Sequence, residues 1–308
     1  MPEPQAQDEL LYLGIDGGGT KCSAILTCSK HNSLGRGLAG PANPFRGPEQ
    51  TIDSIEKATT LALRDAGLSQ DDLSRVIAGV GLAGVNLPIV YETMSKWKHP
   101  YKEMFLTTDL EIACAGAHDG HDGGVIVVGT GSSGCSIVNG EVLIIGAHGF
   151  EFGDTSSGAW LGRQAIRAVL LAEDDLGPKT QLTESVSEAL GSNGVSIVEK
   201  MVGAKPSDFA SLAGLVFAAA DKGDEVATDI IQQGASYLSH MVRKLASTNP
   251  PAISVLGGLK DLILPWLDDD VRMQLVAAKN AADVGAVIYA EQKHREMEAT
   301  AKVSRPSN

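Results

Sequence analysis

Residues 11–21 read Leu11-Tyr12-Leu13-Gly14-Ile15-Asp16-Gly17-Gly18-Gly19-Thr20-Lys21, an apolar strand that runs into a glycine turn, and Cys22 to Cys28 follow as a second strand. The second half of the chain repeats this pattern in Val125-Ile126-Val127-Val128-Gly129-Thr130-Gly131-Ser132-Ser133-Gly134. Glycine-rich hairpins let backbone N–H groups approach a polyphosphate without side chains in the way. Two of them predict a nucleotide site for phosphoryl transfer, although each hairpin alone could be a tight turn without a ligand.

Length and charge narrow the class of protein. The 308 residues are 43% hydrophobic and 20% charged, which is typical of a globular protein with room for two domains. The formal net charge of −13 and the lack of a basic stripe argue against a nucleic-acid partner. No apolar run approaches the roughly 20 residues that cross a bilayer, and residues 1–9 are polar. We therefore expect a cytoplasmic protein without a membrane partner.

The order of the predicted elements indicates a mixed α/β layer fold. Strands alternate with helices up to Thr108, and the order of strand, glycine turn and strand restarts at Val125. We expect one domain at 10–118, a second at 119–280, and a cleft between them as the site. A final helix at about 281–298 is expected to pack back on the first domain, with flexible tails at 1–9 and 299–308.

Two common phosphate-binding motifs do not account for the glycines. Gly129 to Gly134 match G-x-G-x-x-G, but in a dinucleotide site these glycines open a helix. Here Cys135 to Val142 alternate like a strand and contain the hairpin signal Asn139-Gly140. A Walker loop is excluded because the chain contains no Gly-Lys pair.

Three carboxylates are candidates for the chemistry. Asp16 ends the first strand beside the turn, where a carboxylate tolerates a polyphosphate only with a divalent cation between them, so we expect it to hold Mg²⁺ through water. The alternative is a turn-forming aspartate. Asp109 follows an apolar strand and could be a general base or only a helix N-cap. Asp154 lies in a glycine-flanked segment that opens a helix, where it could be an N-cap. Thr20 and Lys21 offer a hydroxyl and a charge to phosphates, although Lys21 could equally point to solvent.

Four motifs of the chain together resemble those of a known protein family. Ile15-Asp16-Gly17-Gly18-Gly19-Thr20, Thr107-Thr108-Asp109, Gly129-Thr130-Gly131-Ser132 and Gly153-Asp154-Thr155-Ser156-Ser157-Gly158 occur in the expected order. The chain resembles, from Tyr12 to about Ala290, the N-acetylglucosamine and glucosamine kinases of the BadF/BadG/BcrA/BcrD ATPase family. That family belongs to the superfamily of sugar kinases, actin and heat-shock ATPases. The resemblance implies two ribonuclease-H-like domains with mixed sheets flanked by helices, and a homodimer.

The resemblance also implies which residues form the site. Asp109 matches the family's sugar-contacting aspartate and becomes the expected catalytic base. The expected ATP contacts are Gly17, Gly18, Gly19, Thr20, Lys21, Thr130, Ala210, Gly257 and Gly258. The expected contacts to the amino sugar are Asn43, Asp109, Gly131, Ser132, Ser133, Ala147, His148, Gly149 and Asp154. Ala147 and His148 depart from the family's pattern, which is richer in glycine and tryptophan, so recognition of the sugar's 2-substituent is open.

The expected function is therefore an ATP- and Mg²⁺-dependent kinase acting on the 6-hydroxyl of N-acetylglucosamine, with glucosamine as the alternative substrate. Two other classes share the fold. An ATPase activator of a radical dehydratase or reductase would hold an iron–sulfur cluster through cysteines in a glycine segment that this chain lacks. A nucleotide- or sugar-binding regulator without catalysis is disfavoured by the acidic charge and by the absence of a helix-turn-helix before Leu11.

Overall fold

The computed structural model describes residues 9–29, 32–45 and 47–303 of the chain. The chain divides into two compact units. Of the described residues, the first unit holds those up to Asp122 and those from Ala278 onward, and the second holds Gly123–Ala277. The expected boundary after residue 118 lies a few residues before this division, because the turn at residues 119–122 belongs to the first unit. Residues 1–8 and 304–308, most of the expected flexible tails, lie outside the described residues.

The first unit is built on a five-stranded mixed sheet in the order β3-β2-β1-β4-β5. The central strand β1 pairs antiparallel with β2 and parallel with β4. Every residue of β4 is buried, which fits its continuous run of apolar and glycine residues. The strands are β1 Leu11–Gly17, β2 Cys22–Cys28, β3 Ser33–Ala39, β4 Val76–Leu82 and β5 Glu103–Thr108.

Helices cover both faces of this sheet, and glycines allow them to lie close. On one face, a Cβ on Gly37 would come within 1.9 Å of the carbonyl oxygen of Ala58 in α1. On the other, a Cβ on Gly79 would come within 2.0 Å of the carbonyl oxygen of Ala286 in α12. These positions require glycine because a side chain would push the helix off the sheet. The helices of this unit are α1 Pro48–Asp65, α2 Pro88–Ser95, α3 Asp109–His118 and α12 Ala282–Val303, with a 3₁₀ turn at Gln70–Arg75.

The second unit repeats the hairpin on a smaller mixed sheet in the order β8-β7-β6-β9. Its strands are β6 Gly123–Val128, β7 Ser132–Val138, β8 Glu141–Gly146 and β9 Ile253–Leu256. The predicted Asn139-Gly140 turn joins β7 to β8, and both residues have positive φ angles, 53° and 80°. One apolar core packs helices against this sheet. The helices are α4 Gly158–Glu173, α5 Leu182–Leu190, α6 Val195–Met201, α7 Pro206–Ala210, α8 Ala213–Ala220, α9 Glu225–Ala246, α10 Lys260–Ile263 and α11 Asp269–Arg272, with a 3₁₀ turn at Leu264–Trp266.

Several predicted elements differ from the structure. Residues 275–279 are not a strand: Leu275 forms only an isolated bridge with Ile253, because the chain leaves the second unit after Ala277. The predicted helix from Phe209 to Lys222 is broken into α7 and α8. The final helix continues to Val303, beyond the predicted end at about 298, while α6 was not predicted. No described helix is long and apolar enough to cross a membrane.

Candidate active site

The first glycine turn is short and open. Gly17 pairs with Cys22, and Gly18 N donates to the carbonyl of Lys21 at 2.9 Å, which closes the hairpin. A Cβ on Gly19 would meet no atom within 4 Å, so no protein atom fills the space beside this turn. The expected phosphate contacts run from Gly17, a buried residue at the end of β1, to the exposed residues Gly19, Thr20 and Lys21, where a polyphosphate could approach.

Asp16 lies at the end of β1, where the strand meets this turn. The pKa of its carboxyl is raised to about 6, mainly because the group is buried and in part because of the negative charge of Asp283, whereas Lys21 has the opposite effect. An ionised carboxylate is thus poorly stabilised by the protein around it. A cation beside Asp16 would relieve that cost.

Asp109 is the first residue of α3, but it is not the N-cap. Thr108 caps the helix: its Oγ1 accepts a hydrogen bond from Glu111 N at 3.1 Å, and the Glu111 carboxylate accepts one from Thr108 N at 3.3 Å. This reciprocal capping box leaves the Asp109 carboxylate out of the cap. The capping role considered for Asp109 therefore belongs to its neighbour.

The charge state of Asp109 suits a base at neutral pH. Its pKa is raised to about 7, mainly because the group is buried and in part because of the negative charge of Asp16, while the backbone N–H groups of Leu110 and Asp109 oppose the shift. Two carboxylates of the first unit therefore act on each other. Oxygen ligands of this kind suit Mg²⁺, which is commonly bound through one or two carboxylates and several waters. Among the described residues, no set of three or more His, Cys, Asp or Glu side chains forms a closed metal site.

Asn43 is held beside the first turn. Ala42 N donates to the carbonyl of Gly18 at 2.9 Å, which ties the loop to the hairpin. The Oδ1 atom of Asn43 accepts from Phe45 N at 3.1 Å. Its Nδ2 donates no hydrogen bond within the described part of the chain and is left to bind a ligand hydroxyl.

The second turn comprises only Gly129 to Gly131, because Val128 already pairs with Ser132. The sequence suggested that Ser132 and Ser133 lie in the turn. In the structure both residues belong to β7. The Ser132 hydroxyl donates to the carbonyl of Thr155 at 2.7 Å. This bond ties the start of β7 to the segment that carries Asp154.

Asp154 packs directly on the second turn. A Cβ on Gly131 would lie 2.9 Å from Asp154 Oδ2, and the carboxylate accepts a hydrogen bond from Ser132 N–H. Asp154 does not cap α4, because the N-cap is Ser157, whose hydroxyl accepts from Trp160 N at 3.1 Å. Here too a neighbouring hydroxyl takes the capping role.

The surroundings of Asp154 contain further charges. Burial raises the pKa of its carboxyl, and Glu151 adds to the shift, whereas the Ser132 N–H and His148 lower it. His148 lies in a loop in which Ala147 and Gly149 have positive φ angles of 57° and 81°. Gly153 N donates to the carbonyl of Gly149 at 2.8 Å and closes that loop. The expected sugar contacts of the second unit thus form one cluster.

The expected nucleotide contacts of the second unit also come together. Gly158 N donates to the carbonyl of Gly129 at 2.8 Å, beside Thr130, and a Cβ on Gly158 would lie 3.1 Å from the Cβ of Ala210. Gly257 has a φ angle of 100° and packs on Val128, whose carbonyl a Cβ at Gly257 would meet at 2.2 Å. Thr130, Ala210 and the turn Gly257-Gly258 therefore surround the end of β6.

Sequence reasoning missed some charged neighbours of the candidate site. Asp283 acts on Asp16, and Glu151 acts on Asp154, but neither stands in a recognisable motif. The capping residues could have been read from the sequence. Thr108 and Glu111 form the T-x-x-E pattern of a capping box, which would have separated Asp109 from the cap.

Comparisons with known proteins agree with this architecture. The chain is 32% identical over 279 residues to the glucosamine kinase GspK of Vibrio cholerae, covering 91% of this chain and 95% of that protein. It is 26% identical to an N-acetylmuramic acid/N-acetylglucosamine kinase of Clostridium acetobutylicum, covering 91% and 98%. A structure from Chromobacterium violaceum, proposed to be an N-acetylglucosamine kinase, superposes with a TM-score of 0.84 at 27% identity, covering 92% of this chain and 100% of that one.

A more distant structure supports the fold alone. A ROK family glucokinase from Streptomyces griseus superposes with a TM-score of 0.59 at 20% identity, covering 92% of this chain and 98% of that one. The predicted fold of mixed sheets flanked by helices is confirmed. The sequence pattern of the BadF/BadG/BcrA/BcrD ATPases matches residues 13–290. The protein belongs to the BadF/BadG/BcrA/BcrD ATPase family.

Proposed function

We propose that this protein is an ATP-dependent amino-sugar kinase that uses Mg²⁺ and phosphorylates the 6-hydroxyl of N-acetylglucosamine. The observation that carries the proposal is Asp109, a carboxylate at the start of α3 that takes no part in the cap and has a pKa of about 7. A carboxyl with this pKa is about half ionised at neutral pH, and the ionised form can accept a proton. Family membership and the named activities of the relatives support the same reaction class.

The roles of the residues follow from phosphoryl transfer. The sugar 6-hydroxyl gives its proton to an Asp109 carboxylate oxygen while its own oxygen bonds to the γ-phosphorus, and the bond from that phosphorus to ADP breaks. We assign Asp16 to hold Mg²⁺ through water, where the ion would neutralise charge on the phosphates. In the first unit, Gly17 to Gly19, Thr20 and Lys21 would bind phosphates. In the second, Thr130, Ala210, Gly257 and Gly258 would bind the nucleotide.

Sugar contacts are assigned in each unit separately. We assign Asn43 and Asp109 in the first unit to sugar hydroxyls. In the second, Asp154 lies with Gly131 and Ser132 in one hydrogen-bonded cluster. Ser133, Ala147, His148 and Gly149 would complete the contacts.

Glucosamine is the second candidate substrate, because the relative at 32% identity is a glucosamine kinase. No residue of the cluster around Asp154 separates a free amine from an acetamido group by residue type alone. The role of an iron–sulfur ATPase activator is disfavoured because all four cysteines, Cys22, Cys28, Cys114 and Cys135, are buried.

A coupled assay of ADP release with MgATP tests the proposal. The panel comprises N-acetylglucosamine, glucosamine, N-acetylmannosamine and glucose. We expect stimulation by N-acetylglucosamine above all, with glucosamine next, and a product that carries phosphate at position 6 by NMR. ADP release that no sugar stimulates would contradict the kinase and favour a regulator. Bound iron with visible absorbance would favour the activator.

A further inference from the structure

An ion pair in the first unit joins β3 to the start of α12. Arg36 Nη1 donates to Asp283 Oδ2 at 2.8 Å across 247 residues of sequence. The Asp283 side chain is only 7% exposed, whereas that of Arg36 is 56% exposed. Within the described residues, Arg36 is the cationic group that contacts this buried carboxylate. A buried carboxylate with an exposed partner retains part of its negative field.

Strand register places this pair beside Asp16. Gly14 in β1 pairs with Ile25 in β2, and Ile25 pairs with Arg36 in β3. The start of α12 lies over the same row, because a Cβ on Gly14 would meet the Asp283 carbonyl oxygen at 1.9 Å. Side chains two residues apart on a strand share a face, so Asp16 lies on the face that α12 covers. Asp283 is therefore a neighbour of Asp16.

The pair lines a groove that lies beside Asp16. A groove of about 230 Å³ is lined by Ser23, Ala24, Arg36, Gly37, Leu38 and Asp283. Ser23 is the strand partner of Asp16, so the groove adjoins that residue. The negative charge of Asp283 contributes to the raised pKa of Asp16. A change of charge at Arg36 or Asp283, which line this groove, can thus alter the electrostatic potential at Asp16 without repacking apolar side chains.

We propose that Asp283 and Arg36 are positioning residues with opposite effects on the cation affinity of Asp16. Asp283 strengthens cation binding by adding negative charge beside Asp16, and Arg36 moderates it by neutralising part of that charge. The inference rests on the proposed role of Asp16 in holding Mg²⁺. A pair that only fastened α12 to the sheet would behave differently, because loss of either partner would then have the same effect.

The test compares Asp283→Asn, Arg36→Gln and Arg36→Lys with the unchanged protein at pH 8, where carboxylates stay ionised. Calorimetry measures ADP binding as a function of Mg²⁺, and the ADP-release assay measures the Mg²⁺ requirement. The two variants change the charge near the divalent ion in opposite directions. We expect the apparent affinity for Mg²⁺ to fall about 3- to 10-fold in Asp283→Asn and to rise about 2- to 5-fold in Arg36→Gln. Arg36→Lys, which keeps the charge, should resemble the unchanged protein.

Arg75→Gln is the matched control. Arg75 pairs with Asp72 at 2.8 Å just before β4, at the end of the sheet away from Asp16. Its loss should lower the melting temperature without moving the Mg²⁺ dependence. Melting temperatures without Mg²⁺ show whether each variant folds. If Asp283→Asn does not fold, Arg36→Gln against Arg36→Lys carries the test.

Shifts in the same direction for Asp283→Asn and Arg36→Gln, or no shift in either, would overturn the inference. Failure of the proposed function looks different. In that case the unchanged protein phosphorylates no sugar. Mg²⁺-dependent ADP binding is still measurable, and its Mg²⁺ dependence still shifts in opposite directions in Asp283→Asn and Arg36→Gln.

Discussion

Gly131 lies against Asp154 so closely that a Cβ on Gly131 would be 2.9 Å from Asp154 Oδ2. Replacement by alanine must therefore move the carboxylate, since real Cβ atoms do not approach oxygen to that distance. Position 131 therefore requires glycine for two reasons: the Asp154 carboxylate leaves no room for a Cβ, and the turn must stay open. Asp154, the proposed sugar contact, and the turn that precedes it are one structural unit.

The variant Gly131→Ala should impair sugar use more than nucleotide binding. Displacing Asp154 misplaces a sugar contact, and errors of about 1 Å can cost up to 10²-fold in rate. We expect KM for the sugar to rise about 10-fold or more, with little change in ADP affinity by calorimetry. Gly214→Ala is the control, because a Cβ at Gly214 in α8 would meet open space. A normal sugar KM in Gly131→Ala would contradict the assignment of Asp154.

The variant Asp109→Asn should lose activity and keep its fold. The cap of α3 is made by Thr108 and Glu111, so an amide at Asp109 leaves the capping hydrogen bonds in place. A positioned base contributes roughly 10²- to 10⁴-fold, and we expect kcat to fall within that range. Steady-state kinetics and thermal unfolding measure the two effects.

Thr108→Ala is the complementary variant. Loss of an N-cap hydroxyl costs about 1 kcal/mol of stability, and Thr108 has no assigned role in the chemistry. Its melting temperature should fall more than that of Asp109→Asn. If Asp109→Asn were the less stable of the two, Asp109 would be a structural residue.

The pH dependence of the reaction should follow the pKa of Asp109, which is about 7. A base must be deprotonated, so kcat/KM at saturating Mg²⁺ should rise with pH and level off. Cation binding beside Asp16 lowers both carboxyl pKa values, so the midpoint should lie at or below about 7 and move up as Mg²⁺ is reduced. A profile independent of pH from 5 to 8 would exclude Asp109 as the base.

Without Mg²⁺, ionisation of Asp109 should lower the stability of the protein as pH rises, whereas the same ionisation raises kcat/KM. The folded pKa of Asp109 lies above its unfolded value, so the folded state binds the extra proton and loses relative stability as pH rises from about 4 to about 7. Asp109→Asn cannot ionise and should therefore gain stability relative to the unchanged protein over that range. Urea unfolding of both proteins at several pH values measures the difference.

The variant Ser156→Gly should be more stable than the unchanged protein. Ser156 has a φ angle of 73°, and its buried hydroxyl lacks a hydrogen-bond partner in the described part of the chain. Glycine removes both costs, and each is on the order of 1 kcal/mol. We expect the melting temperature to rise by about 2–4 °C.

The adjacent variant Ser157→Ala should have the opposite effect. The Ser157 hydroxyl caps α4, and its loss should cost about 1 kcal/mol. Differential scanning calorimetry of both variants provides the comparison. Equal destabilisation by the two would show that the Ser156 hydroxyl has a partner, such as water.

Patterns that depend on neighbouring residues were readable from the sequence. The continuous apolar run at Val76–Leu82 predicted β4, and Asn139-Gly140 predicted the β7–β8 turn. The small residues Gly285 and Ala286 in the last helix predict close packing, and a Cβ on Gly285 would meet the Ile112 carbonyl oxygen at 1.9 Å. Local propensity and the requirement for small residues were enough at these positions.

Features set by contacts distant in sequence were not readable. Residues 275–279 have the composition of a strand, but they form only an isolated bridge to β9, at Leu275, before the chain leaves the unit. The effect of Asp283 on Asp16 depends on a helix laid across β1 from the far end of the chain. The motifs identified the candidate carboxylates, whereas the burial and the neighbouring charges that set their pKa values came from the fold.

Helix α12 has a consequence for how the protein is made. It follows the whole second unit in sequence, yet it covers Gly14 and Gly79 on the first sheet. During synthesis, one face of that sheet stays uncovered until the ribosome has translated α12. Truncation before residue 282 should therefore leave the first unit, and not the second, as the target of chaperones and proteases.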